Sequence, residues 1–385
     1  MQFRDLKKQY EVLKPEMDKA ILDTVASASY IGGPRVKALE DLLAAYCGVK
    51  HCISCANGTD ALQLMLQAWG IGSGDAVFVP DFTFFASGEV VSFVGATPVF
   101  YDVDMDTFNA CPKSLEAAIE AVKAEGKLTP KVIITVDLFG LPADYDAIEA
   151  LAAKHGLLIL EDSAQGFGGE INGKRACSFG DAATTSFFPA KPLGCYGDGG
   201  AIFTNDDAVA ELLRSLCVHG KGSYKYDNVR IGVNSRLDAV QAAVLEVKLN
   251  AFAGYELEAV NKAAAWYDAE LAGVVKTPVI PEGYLSSWAQ YTIQLPSREV
   301  RDGLQDALKA QGIPTMVYYP KPMHTQTAFA DVKAYVDCPN TSKLADTVLS
   351  LPMHPYLDEA TVKTVADAVI RKLQEWSAYF YPECN

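Results

Sequence analysis

Four groups of residues in this chain have types and spacings that could do chemistry. The first is Lys191, set in Ser186-Phe187-Phe188-Pro189-Ala190-Lys191-Pro192-Leu193-Gly194 at the end of an apolar run. A lysine between two prolines is not on a solvated helical face. An ammonium held in an apolar pocket gives up its proton more readily and becomes an amine nucleophile, as imine formation with an aldehyde requires. The same lysine also reads as an ordinary residue of a tight turn. The second group, twenty-nine residues earlier, is Leu157-Leu158-Ile159-Leu160-Glu161-Asp162-Ser163-Ala164-Gln165, an apolar run ending in a carboxylate and an amide. Asp162 stands where a parallel strand delivers a side chain to a ligand, or where an N-cap would start the next helix. The third is Asn57-Gly58-Thr59-Asp60, followed by Ala61-Leu62-Gln63-Leu64-Met65-Leu66 at helical spacing. A helix opening on Gly and Thr presents free N–H groups and a hydroxyl to a phosphate, though an ordinary capped start has the same look. The fourth is Pro80-Asp81-Phe82-Thr83-Phe84-Phe85-Ala86, whose rings could stack on a flat heterocycle or fill a core.

The elements that must position these groups follow from the apolar pattern. Val77–Pro80, Thr97–Tyr101, Val132–Val136, Leu157–Leu160 and Thr184–Phe188 read as strands, with amphipathic helices at Ser114–Lys123 and Tyr145–Lys154 between them. Strands alternating with crossover helices predict an α/β fold with a large, mostly parallel sheet covered on both faces. In such a sheet the chemistry lies beyond the carboxyl ends of the strands, so a polar residue directly following one of these runs is a candidate. Arg236–Phe252 reads as a long helix, and the Pro-rich remainder as a smaller C-terminal α+β domain. The expected division is 1–250 and 251–385.

Composition narrows the class of partner. The chain has 385 residues, half of them apolar, and 33 Lys+Arg against 48 Asp+Glu give a net charge of −15. So acidic a chain lacks the clustered Lys and Arg that phosphate-backbone binding needs, which argues against nucleic acid. No apolar run reaches the roughly 18 residues of a membrane span. The opening MQFRDLKKQY is charged and mixed, unlike a secretion signal, so a cytoplasmic protein is expected. Nine cysteines are too few for a disulfide scaffold, and Cys52-Ile53-Ser54-Cys55 has no second pair to complete a zinc site; no metal is expected.

Taken together, these groups resemble pyridoxal-phosphate (PLP) enzymes of the aspartate-aminotransferase fold, fold type I, and more narrowly the DegT-type aminotransferases of nucleotide-linked keto sugars. Further motifs carry the resemblance: Phe3-Arg4-Asp5-Leu6-Lys7-Lys8-Gln9, Ile31-Gly32-Gly33-Pro34, Gly197-Asp198-Gly199-Gly200-Ala201 and Gly232-Val233-Asn234-Ser235-Arg236. The resemblance implies that Lys191 holds PLP covalently and then moves protons, while Asp162 pairs with the pyridine nitrogen. It implies that Gln165 bonds the ring hydroxyl and Phe84 stacks on the ring. Gly58, Thr59 and Ser186 would hold the phosphate, joined by Asn234 from a second subunit, which implies a homodimer with shared sites. Lysine rather than histidine at position 191 favours transamination over hydroxyl elimination.

The substrate reading rests on two segments. His219–Arg230 is basic in an acidic chain, carries Gly hinges and aromatic rings, and reads either as a cover for a diphosphate, with Tyr224 or Tyr226 against a base or sugar, or as a solvated loop. Tyr318-Tyr319-Pro320-Lys321-Pro322-Met323-His324 resembles the family's substrate-facing loop, with Tyr318 where His is usual. Tyr319 and His324 remain candidates. The wording of several motifs is similar to a subgroup that aminates C3 of UDP-2-acetamido-2-deoxy-3-oxo-glucuronic acid with glutamate as donor, by a ping-pong exchange. Arg230 or Lys321 would then meet the sugar carboxylate. The alternatives are 4-amination of a UDP- or dTDP-linked 4-keto sugar, a fold relative acting on free amino acids, and a non-catalytic PLP-binding regulator.

Overall fold

The computed structural model describes residues 1–224 and 226–380, so Lys225 of the basic segment and Cys384 lie outside the described residues. A seven-stranded sheet forms the centre of the larger part. Its spatial order is His51–Cys55, Gly200–Thr204, Ala182–Ser186, Leu158–Asp162, Thr129–Val136, Asp75–Pro80, Thr97–Tyr101. Six strands point the same way; Gly200–Thr204 runs antiparallel to both of its neighbours.

Local chemistry sets the ends of the elements that feed the site. Pro112 opens the helix Pro112–Glu125 at a position that needs no N–H donor. The next helix, Tyr145–His155, starts under the Asp144 carboxylate, which accepts from Ala147 N. It stops at Gly156, whose φ of 68° turns the chain directly into the strand that ends at Asp162.

Both faces of the sheet are buried, so its strands are apolar on alternating sides. Val77 and Val79 pack with Ile53, Ile134, Leu160 and Ile202 against the helices Gly58–Ala68 and Asp207–Leu216. Ala76 and Phe78 point the opposite way, onto Leu115, Ile119 and Ile148. Near the other edge, Cys52, Ala183 and Phe203 pack on the helices Leu6–Ser27, Gly33–Cys47 and Ala239–Ala251. A separate core, built on Val260, Tyr267, Tyr291, Leu304, Leu349 and Val365, surrounds the antiparallel pair Tyr291–Gln294 and Val348–Leu351. One helical run joins the two parts: Ala239–Ala251, a π-helical turn Phe252–Glu256, then Leu257–Leu271. Phe252 belongs to the sheet's core and Val260 to the second one.

Three readings of the sequence shift. The helix expected from Arg236 begins at Ala239, because Val233 and Ser235 spend their N–H groups on Leu216 O and Cys217 O, and Asp238 pairs with Ile31. The strand expected at Thr184–Phe188 ends at Ser186, where Phe187 begins the loop that carries Lys191. The strand Gly200–Thr204, which the alternation of strands and crossover helices does not predict, is the return arm of that loop. Among the described residues no helix is long and apolar enough to cross a membrane.

Candidate active site

The carboxyl ends of the parallel strands converge as the alternation predicts. Lys191 sits on the loop between Ser186 and Gly200. Phe187 N bonds Gly199 O, Cys195 N bonds Phe187 O, both at 2.7 Å, and Lys191 N bonds Phe188 O at 2.9 Å. Gly194 lets the loop close, since a Cβ there would lie 2.5 Å from Pro189 O. The Lys191 side chain is half-buried, and burial lowers its pKa below the usual lysine value. Asp162 opposes that shift and Arg4 adds to it. Arg4 Nη2 donates to Lys191 O at 2.9 Å and to Pro192 O at 3.4 Å.

Asp162 closes its strand with a buried carboxylate. The Ser87 hydroxyl donates to Oδ2 at 2.7 Å and Ala164 N to Oδ1 at 3.2 Å. Burial raises the Asp162 pKa, and these two donors and the Lys191 charge pull it back. Ser87 is itself 3.1 Å from the Thr83 hydroxyl. Three residues past Asp162, Gln165 Oε1 accepts from Phe139 N at 2.7 Å and its Nε2 donates to the Tyr319 hydroxyl at 2.9 Å. The Phe84 ring is half-exposed, 6.3 Å from that of Tyr319.

The helix Gly58–Ala68 starts beside the end of the strand Ala182–Ser186. Asn57 caps it by accepting from Asp60 N at 2.8 Å, which leaves the N–H groups of Gly58 and Thr59 without acceptors inside the helix. A Cβ on Gly58 would lie 2.7 Å from Ser186 Cβ, and one on Gly200 would lie 2.4 Å from Asn57 O. Glycine at both positions is what lets this helix start abut Ser186.

The structure therefore gathers Lys191, Asp162, Gln165, Tyr319, Phe84, Gly58, Thr59 and Ser186 at one edge. His324 is near it but engaged: its Nδ1 lies 2.6 Å from Asp81 Oδ2 and its N donates to Asp81 Oδ1 at 2.8 Å, tying this loop to the sheet. Lys321 is exposed on the same loop. Asn234, Arg230 and Tyr224 lie on a different segment, tied to the helix start through Ser235 Oγ, which accepts from Ala56 N at 3.0 Å. The segment carrying them bonds mostly to itself and to Ser215–Cys217, with Arg230 on Ser215 Oγ and Val229 N on Gly220 O. It leaves Tyr224, Val229 and Ile231 63%, 54% and 86% exposed. Ser87 and Arg4 were not assigned roles from sequence; Ser87 lies one turn beyond Thr83, and Arg4 within the opening motif.

Comparison with known proteins follows the same geometry. Residues 11–370 match the DegT/DnrJ/EryC1/StrS aminotransferase family. The chain belongs to that family. Among its members, the UDP-2-acetamido-2-deoxy-3-oxo-D-glucuronate aminotransferase of Pseudomonas aeruginosa is 48% identical, over 96% of this chain and 99% of that protein. A UDP-N-acetyl-3-dehydro-alpha-D-glucosamine 3-aminotransferase of Acidithiobacillus ferrooxidans is 44% identical over 96% and 97%. The crystal structure of a family aminotransferase from Brucella abortus superposes with a TM-score of 0.93 at 52% identity, covering 96% of this chain and 98% of that one. A putative sugar aminotransferase from Streptococcus pneumoniae, solved in its PLP form, gives 0.87 at 26% identity, covering 94% and 96%.

This family member is a PLP-dependent aminotransferase, and its residues fit that cofactor: an amine with a depressed pKa, a buried carboxylate facing it, and a glycine-lined helix start that a single Cβ would fill.

Proposed function

We propose that this aminotransferase moves an amino group from glutamate to C3 of UDP-2-acetamido-2-deoxy-3-oxo-glucuronic acid. When bound, PLP carries the amino group between donor and acceptor and draws off the electron pair at the reacting carbon. Lys191 Nζ holds the cofactor and, once released, moves the proton at that carbon, for which its depressed proton affinity suits it. Asp162, fixed by Ser87 and Ala164, offers a buried anion that keeps a proton on a ring nitrogen. Gln165, held in place by Phe139 and Tyr319, would bond the ring hydroxyl. Phe84 covers the ring, and the Gly58 and Thr59 N–H groups with Ser186 bind the phosphate.

The observation that carries this reading is the half-buried Lys191 amine facing Asp162 beside the Gly58–Ser186 contact. The 3-keto glucuronate is favoured by the P. aeruginosa relative's name, with Arg230 and Lys321 as cations for the carboxylate. In this reading the two cores are the domains 1–250 and 251–385. The protein is a homodimer in which the loop bearing the exposed Tyr224 and Arg230 carries both to the neighbouring site, and the partner subunit's Asn234 completes the phosphate cradle. Ile231 at 86% and Phe188 at 53% exposure supply apolar surface for such an interface. The eight described cysteines are free, which suits a reducing cytoplasm.

A half-reaction tests the substrate. The protein is loaded in its amine form and offered candidate keto sugars one at a time; the 3-keto glucuronate should restore the aldehyde spectrum fastest. Faster restoration by a 4-keto sugar, or by the 3-keto sugar lacking the carboxylate, overturns the assignment. Mixing Lys191→Ala with Asn234→Ala subunits tests the dimer, since hybrids contain one intact site and should regain activity that neither parent shows.

A further inference from the structure

Arg4 takes no part in the chemistry above, yet the N-terminal segment is fixed so that its guanidinium lies against the lysine loop. On one side, Phe3 O accepts from Met353 N at 3.1 Å. On the other, Asp5 caps the helix Leu6–Ser27 by accepting from Lys8 N at 2.9 Å. Between these anchors Arg4 reaches two successive carbonyls, those of Lys191 and Pro192. Lysine has a long flexible stem, so the direction in which its amine points depends on how firmly its own peptide is held.

The surroundings are charged and enclosed. Glu256 attracts Arg4 and is itself fixed by Gln9 Nε2 at 2.9 and 3.1 Å and by the Tyr356 hydroxyl at 2.6 Å. Lys248, only 1% exposed, is the other cation, its pKa lowered to about 8 by burial. His354, near Asp5 and Arg4, is kept neutral by burial, with a pKa lowered to about 4. Arg4 itself is lowered to about 10 and stays charged at neutral pH. Two cations face one well-bonded glutamate behind the loop, while Asp162 faces Lys191 from the sheet.

We propose that Arg4 is a positioning residue for Lys191. Its guanidinium grips the carbonyls of Lys191 and Pro192 so that the amine points toward Asp162. This inference rests on the reading of Lys191 as the cofactor-bearing residue.

The test compares full-length holoenzyme carrying Arg4→Gln or Arg4→Lys with wild type. The readouts are the pH titration of the bound cofactor's visible absorbance, kcat and KM, and the melting temperature. Arg4→Gln should move the titration midpoint up, because a nearby like charge is removed. It should also lower kcat by roughly ten- to a hundredfold with KM for glutamate little changed, as expected from a misdirected reacting group. Arg4→Lys, keeping charge but not the planar fork, should hold the midpoint and recover only part of kcat. Arg4→Gln with wild-type midpoint and kcat, whatever its melting temperature, overturns the proposal. If Arg4→Gln does not fold, Arg4→Lys with undiminished kcat overturns it. Borohydride reduction of the holoenzyme that fixes the cofactor on a residue other than Lys191 would overturn the cofactor assignment itself, a failure separable from an unshifted Arg4→Gln.

Discussion

Gly58→Ala concentrates the geometry of the phosphate cradle into one methyl group. The new Cβ would lie 2.7 Å from Ser186 Cβ and 3.3 Å from both Ser186 Cα and Oγ. Rotation about the serine side chain relieves only the last of these. The serine backbone is held by its pairing with Gly200, which in turn abuts Asn57. The helix start must therefore move away from the strand end. Overpacking of this kind costs about 1–3 kcal/mol. The movement also carries off the Gly58 and Thr59 N–H groups, and hydrogen bonds to a charged group are worth roughly 1.5–3 kcal/mol each. Overpacking weakens the empty and the loaded protein alike, so the affinity loss is that of these two bonds weakened but not abolished, about 2–4 kcal/mol, or roughly thirty- to a thousandfold. Equilibrium titration of cofactor-free protein with PLP, followed by visible absorbance, measures it. Gly254→Ala serves as the control, because a Cβ there meets nothing within 4 Å. That control should bind PLP normally and melt slightly higher, since alanine is the better helix former. Gly58→Ala binding within about twofold of wild type would refute the argument that this glycine exists for close approach.

Three further outcomes are expected. Ser87→Ala removes the 2.7 Å donor to Asp162, so its carboxyl should become harder to ionise and kcat should fall by about ten- to a hundredfold; an unchanged kcat would mean that Asp162 needs no such support. His354 is neutral in the fold, so its contribution to stability is intact above an unfolded value near 6.5 and is lost as pH falls from there toward about 4. Melting curves across that interval should slope less steeply for His354→Gln than for wild type, and equal slopes would discount the residue. Arg230→Gln should raise KM for the carboxylate-bearing UDP sugar by about tenfold or more while sparing the analogue without the carboxylate; equal effects on both would remove Arg230 from substrate recognition.

What the sequence could and could not show follows from how far apart the interacting residues lie along the chain. Asp162 was legible because an apolar run of strand length ends at it, and a parallel sheet places strand ends together whatever the loops do; Ser186, inside the run expected to reach Phe188, was marked only by the family resemblance. Gly58 was legible because a glycine-threonine helix start is a local signal. The strand Gly200–Thr204 escaped because no crossover helix precedes it; its antiparallel course is imposed by the tight loop around Lys191, and a pattern of parallel units has no place for it. The supports of the site escaped for a different reason. Arg4 meets Lys191 from 187 positions away, Ser87 meets Asp162 from 75, and His324 meets Asp81 from 243. Nothing in the local spacing of Arg4 or Ser87 marks it as a partner of a strand end, since these contacts exist only once the sheet and its helices have packed. His324, a candidate for the sugar from its loop, proves to have its Nδ1 committed to a carboxylate, which makes it a tie between loop and sheet. The chemistry of the site was thus written in short motifs, while the means of aiming it were written in the packing, and the Arg4 variants probe the second part without touching the first.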